Sequence, residues 1–158
     1  MLFRSGGDDC AFVHRIGPDA STVTSVALKA HTDTVSSVAF NHDGSLLATG
    51  GLEGRACIWS VSTGELLRTL EGPGGGLEWV RWHPKGNVLL AGSEDFTAWM
   101  WNADNAELMQ VFAGHSNSVL CGGFSPDGRG VVTGSFDGSL RVWAPRSGEC
   151  GTLFQGHP

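Results

Sequence analysis

His115, Thr133, Asp137 and Trp143 bring an imidazole, a hydroxyl, a carboxylate and an indole into one short stretch. A hydroxyl–imidazole–carboxylate trio could activate Thr133 for nucleophilic attack, with the imidazole taking the proton and the carboxylate orienting the ring. That chemistry also needs an exposed, activated hydroxyl and donors for a developing oxyanion. The sequence offers neither. A similar set, His31, Thr49, Glu53 and Trp59, comes earlier, whereas between the two only Asp95 and Trp101 remain, because Pro73 and Ala91 hold the other two places. Such sets read as buried polar groups that satisfy one another. The histidines at 14, 31, 42, 83, 115 and 157 make no HxH or HExxH pair, so no metal is expected. The run Gly72-Pro73-Gly74-Gly75-Gly76 lacks the lysine and helix of a phosphate loop and reads as a flexible entry loop. No cofactor is expected.

The elements that must carry these residues repeat. Trp59, Trp101 and Trp143 recur every 42 residues, and the same step links Phe40, Trp82 and Phe124. It also links Gly44, Gly86 and Gly128; Gly50, Gly92 and Gly134; Leu70, Phe112 and Phe154; and Gly72, Gly114 and Gly156. Internal repetition at such a period marks repeat architectures. Each unit reads as a first strand (35–40, 77–82, 119–124), a turn, and a second strand (46–49, 88–91, 130–133). A tight turn at Glu53-Gly54, Asp95-Phe96 or Asp137-Gly138 then leads to a third strand ending in tryptophan, and a fourth follows. Short apolar runs bounded by turn chemistry are strands, and no stretch keeps a 3.6-residue period. The chain is expected to be all-β.

Composition agrees with that expectation. The 158 residues are 41% hydrophobic and 16% charged, which opposes disorder. Twenty-four glycines suit many tight turns. The net charge of −6 disfavours nonspecific binding to nucleic acid and permits a basic protein partner. Cysteines 10, 57, 121 and 150 form no CxxC and read as reduced thiols. No apolar run reaches membrane-spanning length or resembles a signal peptide. A soluble cytoplasmic protein is expected, with the nucleus as a second location.

Four strands per unit, a Gly-His start (Gly114-His115, with Ala30-His31 nearly so) and the recurring tryptophan resemble the WD40-repeat family. The resemblance implies a partial β-propeller of about three full four-stranded blades, at 31–71, 73–113 and 115–155. A part-blade at 1–28 precedes them and a further blade begins at 156–158. Within the part-blade, residues 5–13 resemble a second turn and third strand, with His14 in the tryptophan position and a fourth strand at 23–28. Because propellers close by pairing the last blade with the first, a fragment of a longer propeller is expected. Self-association through the open edges is the alternative. The resemblance also implies that His31, Thr49, Glu53, Trp59, His115, Thr133, Asp137 and Trp143 form structural tetrads, with Asp95 and Trp101 the remnant of a third. That third blade should be the least braced internally.

Gly76-Leu-Glu-Trp-Val-Arg-Trp-His-Pro84, 88–92 and Trp99-Met-Trp101 are similar to the angio-associated migratory cell protein family. Fungal relatives of that family are dedicated chaperones of a basic large-subunit ribosomal protein, held on an acidic propeller face. The resemblance implies a non-enzymatic scaffold or chaperone. A substrate receptor for a complex such as a ubiquitin ligase is the alternative. Candidate partner-binding residues are Asp33, Glu53, Glu78, Trp79, Glu94, Asp95 and Trp99. Two readings stay open: the carboxylates fit a binding face or a solvated rim, and Trp79 and Trp99 fit partner anchors or inter-blade packing.

Overall fold

Fifteen strands and no helix make up the regular structure of the described residues. They form four antiparallel sheets in chain order. The first holds β1 (Leu2–Gly6), β2 (Cys10–Ile16) and β3 (Val23–Lys29). The second holds β4 (Val35–Phe40), β5 (Leu46–Gly51), β6 (Ala56–Ser60) and β7 (Leu66–Leu70). The third holds β8 (Leu77–Trp82), β9 (Val88–Ser93), β10 (Thr97–Asn102) and β11 (Glu107–Ala113). The fourth holds β12 (Val119–Phe124), β13 (Val131–Ser135), β14 (Ser139–Trp143) and β15 (Cys150–Gln155). The computed structural model describes residues 2–6, 9–19 and 21–156, with side chains from residue 9 onward. Of the further blade expected at 156–158, residues 157 and 158 lie outside that range.

Each sheet is a meander, and together the sheets make a partial, open propeller. Inner strands β4, β8 and β12 stand side by side. Outer strands β7, β11 and β15 are largely exposed, while the middle strands carry the core residues Leu47, Ile58, Leu89, Leu90 and Trp101. The first sheet departs from the sequence reading, which placed two strands there. Strand β1 adds a third, paired from Leu2↔Arg15 to Gly6↔Ala11. Residues 2–6 belong to none of the 42-residue registers, so the repeat did not reveal them. Leu28 and Leu70 keep the step, both fully buried on fourth strands.

The two junctions between full sheets use one geometry with opposite fillings. At the first, small Ser37 on β4 faces Val80 on β8, and the Val80 amide donates to Ser37 Oγ at 3.2 Å. At the second, Trp79 on β8 crosses to β12 and donates its indole N–H to the Val119 carbonyl at 2.9 Å. The large ring fits because both walls are glycine: a Cβ on Gly92 or Gly122 would lie within 2.7 Å of it. Size passes from one side of the junction to the other. The interior stays close-packed in both cases.

Candidate functional site: the upper rim

The loops entering β4, β8 and β12 meet the β5–β6, β9–β10 and β13–β14 turns along one edge. Leu52 donates its amide to the Thr34 carbonyl, Glu94 to Gly76 and Phe136 to Ser118, at 2.9–3.0 Å. In the second sheet His31 Nε2 lies 2.6 Å from Thr49 Oγ1, Trp59 donates to that oxygen at 3.0 Å, and His31 Nδ1 meets Glu53 at 2.5 Å. In the fourth, His115 Nε2 lies 2.7 Å from Thr133 Oγ1, Trp143 donates to it at 2.8 Å, and Nδ1 meets Asp137 at 3.0 Å. A carboxylate only accepts and an indole only donates. The proton order is therefore indole to hydroxyl, hydroxyl to Nε2, and Nδ1–H to carboxylate. Thr133 is fully buried with its hydroxyl committed at both ends, so it is no exposed nucleophile.

Asp137 titrates well below the ordinary carboxylate range. Burial alone would raise it, but hydrogen bonds from Ser139, the Ser116 and Ser139 amides and His115 outweigh that.

In the third sheet Asp95 and Trp101, without the histidine and hydroxyl that link such residues in the other two, are held separately. Trp101 donates to the Glu71 carbonyl at 3.0 Å. Asp95 Oδ1 accepts from the Thr97 amide at 3.1 Å and its hydroxyl at 2.5 Å. Asp137 makes the same hairpin contacts to Ser139 in the fourth sheet and adds His115, so Asp95 keeps the hairpin bonds and lacks only the histidine. A brace that the sequence reading missed does the tying: Ser93 Oγ donates to the Gly75 carbonyl at 3.2 Å and accepts the Asp95 amide at 3.1 Å. Ser135 repeats this with Asn117 and Asp137. The 42-residue step from Ser93-Glu-Asp to Ser135-Phe-Asp was the available signal.

The candidate partner-binding residues divide. Trp79 leaves the set, being 5% exposed with its N–H satisfied across the junction. Glu53 leaves it too, since one oxygen serves His31 and the other is enclosed. Trp99 is half-buried, stacked on Trp101 at 5.9 Å with its N–H on Thr97 Oγ1. Asp33 is exposed and accepts the Thr34 amide at 2.6 Å. Glu78 and Glu94 come together. The β8–β9 register slips between Leu77 and Trp79, which leaves Glu78 as the extra residue of a bulge, a device that re-aims a side chain. Burial, then the negative charge of Glu94 and a hydrogen bond with it, push the Glu78 carboxyl above its ordinary range.

Two exposed aromatics that the sequence reading did not single out stand in the β9–β10 and β13–β14 turns of the same rim. Phe96 holds φ +76° where the matching turns carry Gly54 and Gly138, and it is 44% exposed. Left-handed backbone at a bulky residue is strained. Phe136, 72% exposed, sits at the same place as Glu94 in the next turn. Elsewhere Cys57 is inert: burial, then the Glu53 charge, pushes its thiol up to about 11. Among the described residues no three His, Cys, Asp or Glu side chains gather as a metal site.

The WD domain, G-beta repeat (WD40) family matches residues 21–60, 64–102 and 106–144. Each match starts at or near the outer strand of one sheet and ends with the third strand of the next. Angio-associated migratory cell protein of Homo sapiens is 39% identical over 85 residues, 54% of this chain and 18% of that protein. The Canis lupus familiaris protein of that name gives the same values. Pre-rRNA-processing protein pro-1 of Caenorhabditis elegans is 34% identical over 67 residues, 42% of this chain and 12% of that protein. The matched stretch is thus less than a fifth of the length of these relatives.

Proposed function

The chain belongs to the WD40-repeat family, and from that premise we propose that its upper rim holds a basic segment of a ribosomal protein during large-subunit assembly. WD40 repeats serve as protein-interaction scaffolds. The observation that carries the finer reading is the Glu78–Glu94 pair, two carboxylates close enough for each to repel the other's charge, with no ion pair to either among the described residues. A lysine or arginine would supply that missing charge. Asp33 and Asp95 extend the negative field, and Phe96 and Phe136 offer ring faces to a cation. The name of the pre-rRNA-processing relative points the same way. Cytoplasmic residence, shared with the nucleus, follows from such a role, which contains no catalytic step. Self-association through the outward face of the fourth sheet belongs to the same reading.

A lysine- and arginine-rich peptide from a large-subunit ribosomal protein should bind in fluorescence titration, with affinity falling steeply as salt rises. Reversing Glu94 and Asp95 to lysine should weaken it about tenfold, or roughly 1.4 kcal/mol. Binding that ignores salt and both reversals, or no binding, rejects the reading.

A further inference from the structure

A second surface lies on the lower rim, where the third and fourth sheets part to leave a hollow of about 350 Å³. It is lined by buried Met100, by Phe124, and by the exposed side chains of Met109 and Arg146. A neighbouring hollow of about 420 Å³ shares Gly128, Pro145 and Arg146 and adds Arg129, so the two form one groove. One wall is preset. His83 Nδ1 accepts the Lys85 amide at 3.1 Å, which leaves the Nε2 N–H to donate to the Gly128 carbonyl at 3.3 Å. The same ring meets Phe124 edge-on at 5.0 Å.

The preceding junction shows that this opening is particular to its place. There the site of Phe124 is Trp82, whose N–H reaches the Ala39 carbonyl at 2.8 Å. Asn41, Asn87 and Asp104 close the rest with a hydrogen-bonded ladder at 3.1 and 2.9 Å. One repeat later, Asn87 becomes Arg129 and Asp104 becomes Arg146. The ladder is lost, the tryptophan shrinks to phenylalanine, and the charge at that place reverses. The acids nearby are already engaged: Asp127 with Ser125 and the Arg129 amide, and Glu149 with Ser147. Arg146 makes no hydrogen bond or ion pair among the described residues. Methionine linings adapt to varied apolar shapes, and the volume suits one or two bulky side chains.

We propose that this groove docks a linear protein segment that carries a bulky apolar side chain beside aspartate or glutamate. The apolar residue enters over Met100 and Met109, and the carboxylate meets Arg146. The partner is opposite in charge to the one proposed for the upper rim, and the two sites are independent.

The probe is a fluorescein-labelled peptide with Leu-Phe between Asp-Glu pairs, titrated with the full chain and compared with the same peptide carrying lysine for each acid. The acidic peptide should bind and the lysine version should not. Arg146→Asp, which restores the residue type at 104, should weaken binding about tenfold, and Met109→Glu should do at least as much. Both side chains are exposed, so thermal unfolding should stay unchanged. In the unaltered protein, labelled methyl signals of Met100 and Met109 should shift as the acidic peptide is added. Equal binding of the two peptides, affinity indifferent to both variants, or unmoved methionine signals at saturation would overturn the proposal.

Discussion

Two carboxylates on the same rim respond to pH in opposite directions, and the cause is local. Asp137 is held ionised by donors on every side. Its stabilising contribution is complete above the ordinary aspartate value and drains away as pH falls below it. Glu78 is pushed up by burial and by Glu94, so its ionised form opposes folding once pH rises past the ordinary glutamate value. Asp137→Asn should therefore lower stability at pH 7 and still lower it, by somewhat less, near pH 3, where the folded carboxyl remains ionised. Glu78→Gln should raise stability at pH 7 and leave it unchanged near pH 3. Urea unfolding at both pH values measures the pair, and parallel shifts in the two variants would contradict the assignment. The residue types of this rim were legible in the sequence, but their partners were not. His115 and Thr133 announced themselves by recurring with His31 and Thr49. The meeting of Glu78 with Glu94 depends on a one-residue bulge, and hydrophobic alternation carries no mark of it.

At the scale of the strands, the 42-residue step was enough to place every strand of the three full sheets. It failed where an element lies outside the step, as β1 does. Trp79 was ambiguous for a different reason. Whether an indole faces solvent or a neighbour depends on what stands across the junction, and Gly122 becomes visible as its complement only when β8 and β12 are side by side. Gly122→Val should overpack that junction and destabilise the protein by about 2 kcal/mol. Trp79→Ser alone should cost about 3–5 kcal/mol through the cavity it leaves. Together they recreate the Ser37–Val80 arrangement, so the double variant should be more stable than the sum predicts by about 1–3 kcal/mol. Additive losses in a double-mutant cycle would show that the two positions are not coupled.

Taken as a whole, the molecule has faces with distinct demands. The upper rim gathers unneutralised carboxylates, and the groove on the lower rim presents arginine over methionine. The fourth sheet turns Leu120, Phe136 and Leu140 outward, each at least 39% exposed, around Cys121, the counterpart of Ser37 and Trp79. Contiguous apolar surface of this kind favours association. Light scattering of the chain as it stands should show self-association that Leu120→Lys with Leu140→Lys reverses; a monomer at all concentrations would remove that part of the proposal. Fold class and repeat number were legible in the sequence because they depend on periodicity. The groove was not, because it arises from what the fourth sheet lacks relative to the third.

The alternating fillings of the two junctions have a consequence for how such a chain can change over time. Excising the middle repeat would leave the strand pairing within the remaining sheets whole, yet it would bring Ser37 against Gly122, two small residues facing a void. Copying that repeat in tandem would drive Trp79 into a second Val80. The units look interchangeable by length and are not interchangeable by shape. Their sequence of assembly is written like a key cut, in one tryptophan and the glycine that receives it.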